Sequence, residues 1–208
     1  MPWTQVMPGL FLSIPNWPHV PSRTYYRMRF ETFKKHVDPA AYDVVHAFVW
    51  EQAPHHFLML SGPVGRGKTH LSMAAVWDWL EFRLGWQHGA DSHAYYYMAE
   101  DILDSIRGMS FADHKLFLSV LESAGLLVID GLGEYYDKGD DVRLSWASTQ
   151  LHRIIDHRYS NGLRTIIATN CGPDQLPGRI ADRISEGQIV VMRSHESYRA
   201  KLARARRQ

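Results

Sequence analysis

Residues 62–69 read Gly-Pro-Val-Gly-Arg-Gly-Lys-Thr, a complete G-x-x-x-x-G-K-[ST] loop. No other stretch of the chain restricts its fold so tightly. Such a loop belongs between a strand and a helix, where its glycines let the backbone curl until several N–H groups converge on one anion. Gly62, Pro63, Val64, Gly65, Arg66, Gly67, Lys68, Thr69 and His70 are therefore expected to line a triphosphate site. Lys68 supplies a positive charge to the β- and γ-phosphates and Thr69 a hydroxyl to Mg²⁺. The helix that starts there adds the partial charge of its N-terminus. The flanks have the required order, with a short apolar run at Phe57–Ser61 before the loop and apolar residues at helical spacing from Leu71 to Phe82 after it.

Further apolar runs at Ala94–Met98, Leu126–Ile129, Thr165–Thr169 and Gln188–Met192 read as strands. Helical patterns separate them at Lys68–Phe82, Ala99–Arg107 with Ala112–Glu122, Val142–Asn161 and near Arg179–Ile184. Five strands alternating with helices give an α/β, doubly wound parallel sheet. Tyr25 to Gln52 also reads as helical, with Asp38 as cap and Pro39 at a first helical position. Residues 1–24 hold five of the ten prolines together with Trp3, Phe11 and Trp17, which suits an extended arm. Packing of its aromatics on its own domain is the simpler expectation. The remainder, 25–208, is expected to form a single domain.

At 208 residues with 45% hydrophobic and 22% charged residues, disorder is excluded as the default. Cys171 is the only cysteine, which excludes an internal disulfide and fits a reducing, cytoplasmic setting. No run approaches the roughly 20 apolar residues of a membrane span. The twelve histidines are scattered, and His55-His56 has no partner at metal-ligand spacing. They are read as surface or capping residues.

Two strand ends complete the site. Leu126-Leu-Val-Ile-Asp130 places a carboxylate at the carboxyl edge of the sheet, where it can hold Mg²⁺ through water. Thr165-Ile-Ile-Ala-Thr-Asn170 places an amide at a comparable edge, where it can orient the attacking water or touch the γ-phosphate. A loop and two such strand ends describe the additional-strand class of P-loop ATPases.

Gly-Lys-Thr-His70-Leu71, Ile-Asp130-x-Leu-Gly133, Arg158-Tyr159 ahead of the Thr165–Asn170 strand, and Ser197-Tyr198-Arg199 together resemble the DnaC/IstB family of AAA+ ATPases, from about Phe33 to Arg199. The resemblance implies an AAA+ fold with sheet order 5-1-4-3-2 and a homo-oligomer on DNA with ATP between neighbouring subunits. It implies catalytic parts for Lys68, Asp130 and Asn170 (sensor 1), with Thr69 and Asp130 at the metal. Arg179 matches the arginine finger, Arg183 is a second candidate, and Arg199 matches sensor 2. A guanidinium presented by a neighbour neutralises charge on the γ-phosphoryl group, so hydrolysis depends on assembly.

Two departures stand out. The family usually has a second acid after the strand-end aspartate, and this chain has Gly131; a glycine cannot act as a base, which predicts slow or absent hydrolysis with ATP binding retained. Glu134 matches a common acidic position and is the candidate substitute. Second, only about 30 residues precede the matching region, so the partner-binding domain of larger members is missing or reduced to the arm.

The net charge of +1 is uninformative, yet residues 193–208 carry Arg193, Arg199, Lys201, Arg204, Arg206 and Arg207 against Glu196 alone. This patch suits either phosphate contact or a solvated helix end. The expected function is an ATPase of DNA replication, a helicase loader assembling on single-stranded DNA through backbone contacts and on a replicative helicase. The alternative is an IstB-like transposition regulator that binds a transposase, or a weakly hydrolysing nucleotide-gated scaffold.

Overall fold

The computed structural model describes residues 23–50, 53–84, 93–133 and 141–193. Most of the N-terminal arm, Glu134, Arg199 and the basic segment beyond Arg193 lie outside the described residues. A single helical turn, α1 (Arg23–Tyr26), and helix α2 (Pro39–Val49) precede the sheet. Strands β1 (Phe57–Ser61), β2 (Ala94–Met98), β3 (Leu126–Asp130), β4 (Arg164–Thr169) and β5 (Gln188–Val191) then form one sheet in the order β2-β3-β4-β1-β5. Every neighbouring pair is parallel. The expected order 5-1-4-3-2 is this one, read from the other edge.

Parallel neighbours require crossovers. Those seen are α3 (Lys68–Leu84), α4 (Ala99–Gly108) with α5 (Phe111–Ser123), α6 (Asp141–Ser160) and α7 (Gly178–Ser185). Successive strand residues face opposite sides. In β1, Leu58 and Leu60 enter one core while Phe57 and Met59 enter the other; in β3, Leu126 and Val128 part from Leu127 and Ile129 in the same way. Helices α2 and α3 cover the first face and α4 to α7 the second. Burial on both faces explains why these strands read as unbroken apolar runs. Among the described residues no helix is long and apolar enough to cross a membrane.

The helix expected from Tyr25 to Gln52 forms only over Pro39–Val49 and the turn at Arg23–Tyr26. Its cap is as read: Asp38 Oδ1 accepts from Ala41 N at 3.0 Å. Upstream, a residue before proline is driven out of the α region, and Asp38 has φ −154° and ψ 85°. Thr32 adds a competing local network, accepting from Arg29 N at 3.0 Å and donating to the Arg27 carbonyl. The histidine expectation also changes. His46 and His70 are half-buried, and each packs edge-on against a phenylalanine, Phe30 and Phe33 respectively.

Arg158 in α6 is fully buried. Its guanidinium donates to Thr165 Oγ1 at 2.9 Å, to the Leu121 and Ala124 carbonyls at 2.8 Å each, and to the Arg164 carbonyl at 2.7 Å. Burial pushes its pKa down to about 9, while these acceptors keep it charged at neutral pH. One side chain thus ties the C-terminal carbonyls of α5 and the start of β4 to α6, which sets the level of the strand that carries Asn170. Replacing Arg158 by Ala orphans several buried acceptors and leaves a cavity, so urea denaturation is expected to register a loss of about 3–5 kcal/mol.

Candidate nucleotide site

The register assembles the site before any side chain is considered. Ser61 at the end of β1 pairs with Thr169 of β4, and Ala168 of β4 pairs with Asp130 of β3. Strand β4 therefore stands between the strand that feeds the loop and the strand that ends in Asp130. Asn170 emerges from the sheet edge between them. Backbone bonds from Gly131 N to Ala168 O and from Met192 N to Ser61 O, both 2.8 Å, and a side-chain bond from Ser61 Oγ to Cys171 O, also 2.8 Å, lock these strand ends together.

Helix α3 begins at Lys68, and the N–H groups of a first turn have no partner within their own helix. Lys68 is buried, at 7% exposure. A buried ammonium needs oxygen partners, and Nζ donates to the Gly62 carbonyl, to the Pro63 carbonyl at 2.9 Å and to Asn170 Oδ1 at 2.7 Å. The lysine of the loop and the amide of the intervening strand, 102 residues apart, are thereby in direct contact. Phe33 presses on the loop. A Cβ added at Gly67 would stand 2.8 Å from its ring, and Gly67 has φ +99°, so a side chain is barred there twice over.

His70 engages the segment that precedes the sheet. Its Nε2 lies 2.9 Å from the Arg29 carbonyl, which requires the proton on that nitrogen. Burial lowers the His70 pKa, opposed by this bond to Arg29. A base with a lowered folded pKa charges more readily when unfolded, so its contribution fades as pH falls below the ordinary histidine range.

Asp130 is buried at 6% exposure. Its Oδ2 accepts from Thr69 Oγ1 and from the Tyr96 hydroxyl, each at 2.7 Å, and its Oδ1 accepts from Gly131 N at 2.9 Å. Burial first, and the Asp130 carboxylate second, push the Tyr96 phenol far above the usual tyrosine range, so it stays a donor. Tyr96 was absent from the sequence reading. The signal that finds it is the parallel register, in which Met98 pairs with Asp130 and Tyr96, two residues earlier, shares that face.

A hydroxyl and a carboxylate 2.7 Å apart form a hard-oxygen set of the kind Mg²⁺ takes. Among the described residues no cluster of three or more His, Cys, Asp or Glu side chains is placed to hold a metal. A cation at Thr69 and Asp130 would therefore complete its shell from phosphate and water, as Mg²⁺ usually does.

The two arginines of α7 differ. Arg183 bonds Asp156 Oδ1 at 3.0 Å and lies over the Tyr159 ring at 4.7 Å. Together with His55, His56 and Glu186 it lines a cleft of about 380 Å³ at the edge where β1 and β5 begin, opposite the loop. Arg179 stands one turn earlier and is exposed, with no ion pair or hydrogen bond among the described residues.

The chain resembles several solved structures. It superposes on a DNA replication initiation factor with a TM-score of 0.68 at 20% identity, covering 87% of this chain and 54% of that one. The DnaC helicase loader gives 0.66 at 23% identity, covering 83% and 100% of the two chains. The replication initiator DnaA bound to AMPPCP and single-stranded DNA gives 0.66 at 21% identity, covering 86% and 54%. The fold is that of the AAA+ ATPases. This chain spans about half the length of the initiators, and no protein-family model and no curated protein matches its sequence.

Within this AAA+ frame Gly131 is more than a missing acid. It has φ +75°, and its N–H serves both Ala168 O and Asp130 Oδ1. An L side chain in the left-handed region costs roughly 1–2 kcal/mol. Gly131→Glu is accordingly expected to lower the urea-unfolding free energy by about that amount, and unaltered stability would mean that the backbone here is free to turn.

Proposed function

We propose that the chain binds Mg²⁺·ATP in the 62–69 loop and hydrolyses it slowly, as a loader-type ATPase of DNA replication. The observation that carries this reading is the 2.7 Å contact between Lys68 Nζ and Asn170 Oδ1 beside the Thr69–Asp130 pair. It brings a phosphate-binding cation, a strand-end amide and a hard-oxygen pair to one sheet edge.

When the triphosphate enters, Lys68 exchanges the Gly62 and Pro63 carbonyls for phosphate oxygens, and the first-turn N–H groups of α3 close on the β-phosphate. Thr69 and Asp130 hold Mg²⁺, which when bound neutralises charge shared by the β- and γ-phosphates. Asn170, released from Lys68, orients the attacking water. The proton acceptor is the open role: Gly131 offers none, and Glu134, carried over from the family resemblance, is assigned to it. Arg199 is assigned to sensor 2 on the same ground.

Arg179 is assigned to the neighbouring subunit's γ-phosphate. It is exposed and stands nearer the start of α7, whereas Arg183 is committed to Asp156 and to the opposite edge of the sheet. The basic segment 193–208 is assigned to the backbone of single-stranded DNA. A replicative helicase is assigned as the protein partner. A nucleotide-gated scaffold, as in a transposition regulator, is the second reading, favoured by the left-handed backbone at Gly131.

Phosphate release with and without single-stranded DNA, alongside equilibrium nucleotide binding, tests these roles. Lys68→Ala is expected to abolish ATP binding. Arg179→Ala is expected to keep binding and to lower turnover by about 10³-fold, the scale of an arginine finger. Turnover equal in Lys68→Ala and the unaltered protein would select the scaffold, and undiminished turnover in Arg179→Ala would remove the trans-acting role.

A further inference from the structure

Tyr96 holds a place in the site that no part of the ATPase scheme assigns. We infer that it is a positioning residue for Mg²⁺, fixing the Asp130 carboxylate so that one of its oxygens faces the cation's water shell. The inference rests on the ATP-site reading above.

A carboxylate offers about four acceptor directions. Described residues engage three on Asp130: Thr69 and Tyr96 on Oδ2, and Gly131 N on Oδ1. The direction left among these is on Oδ1, so the carboxylate has one rotamer and one face for a metal-bound water. Without the phenol, Thr69 alone would hold Oδ2, and Thr69 is itself the hydroxyl that the cation recruits. Tyr96 thus holds the carboxylate while its other side-chain partner changes role.

Tyr96 is itself held. Its hydroxyl donates to Asp130 Oδ2 at 2.7 Å and lies 3.4 Å from Met98 Sδ, and its ring packs against that of Tyr25. The two rings lie 5.8 Å apart, and Trp77 Nε1 donates to the Tyr25 carbonyl at 3.2 Å. Ring packing from Tyr25 of α1 therefore steadies the Tyr96 ring, and the Tyr96 hydroxyl carries that placement to Asp130 at the metal position. A tyrosine that only filled the core would need its ring and not this hydroxyl, and Tyr96→Phe separates the two cases.

Binding of a fluorescent ATP analogue is titrated with MgCl₂ for the unaltered protein, Tyr96→Phe and Tyr25→Ala, with thermal melting and binding in EDTA as companions. Tyr96→Phe is expected to need about tenfold more Mg²⁺ for half-saturation, the scale of a lost outer-shell partner, with binding in EDTA unchanged. Tyr25→Ala, which removes the ring packed on Tyr96, is expected to shift in the same direction by less, and it decides the matter alone should Tyr96→Phe fail to fold. Normal nucleotide binding with an unchanged Mg²⁺ midpoint in the folded variants would overturn this inference alone. No nucleotide binding by the unaltered protein would overturn it together with the ATP-site reading.

Discussion

The Lys68 amine and the Asp130 carboxyl are buried at one edge of the sheet, and the rest of the structure is arranged around giving both polar partners. Neither is left to solvent: Lys68 and Asp130 are each under a tenth exposed. Isolated burial of either charge would be prohibitive. The described contacts instead give Lys68 two loop carbonyls and the Asn170 amide, and give Asp130 two hydroxyls and a backbone N–H. These partners are neutral and can be exchanged for phosphate oxygens and metal-bound water. The site is organised in advance for a ligand that carries both charges with it, and little rearrangement is needed to admit one.

That organisation depends on strand order. Placing β4 between β1 and β3 brings Asn170 to Lys68 and leaves Asp130 one strand further out, under α3 and Thr69. Arg158 holds the start of β4 against the end of α5, so a residue with no part in the chemistry sets the level at which Asn170 emerges. The segment before the sheet closes the other side, with Phe33 against Gly67, the Arg29 carbonyl on His70 and Tyr25 beside Tyr96.

The loop, the five strands and the two strand-end residues were legible because each is a local pattern: an apolar run, a turn of glycines, a polar residue at the end of a run. The Asp38 cap and Pro39 were legible for the same reason. The break before α2 was not, since it turns on which carbonyl Thr32 reaches. Tyr96 and Arg158 were invisible as site and clamp because their partners lie at least 34 residues away for Asp130, Leu121 and Ala124. In composition Tyr96 is one of three consecutive tyrosines, and only the parallel register separates its face from that of its neighbours. The absence of an acid at 131 was plain in the sequence, but its positive φ was not.

A structure of the protein with Mg²⁺ and a non-hydrolysable ATP analogue addresses the shared edge most directly. The phosphates are expected along the backbone of residues 65–69, with Lys68 Nζ moved from the Gly62 carbonyl to the β- and γ-oxygens and the cation between Thr69 and the Asp130 side. Nucleotide bound elsewhere, or Lys68 still on the Gly62 and Pro63 carbonyls with the loop occupied, would contradict it.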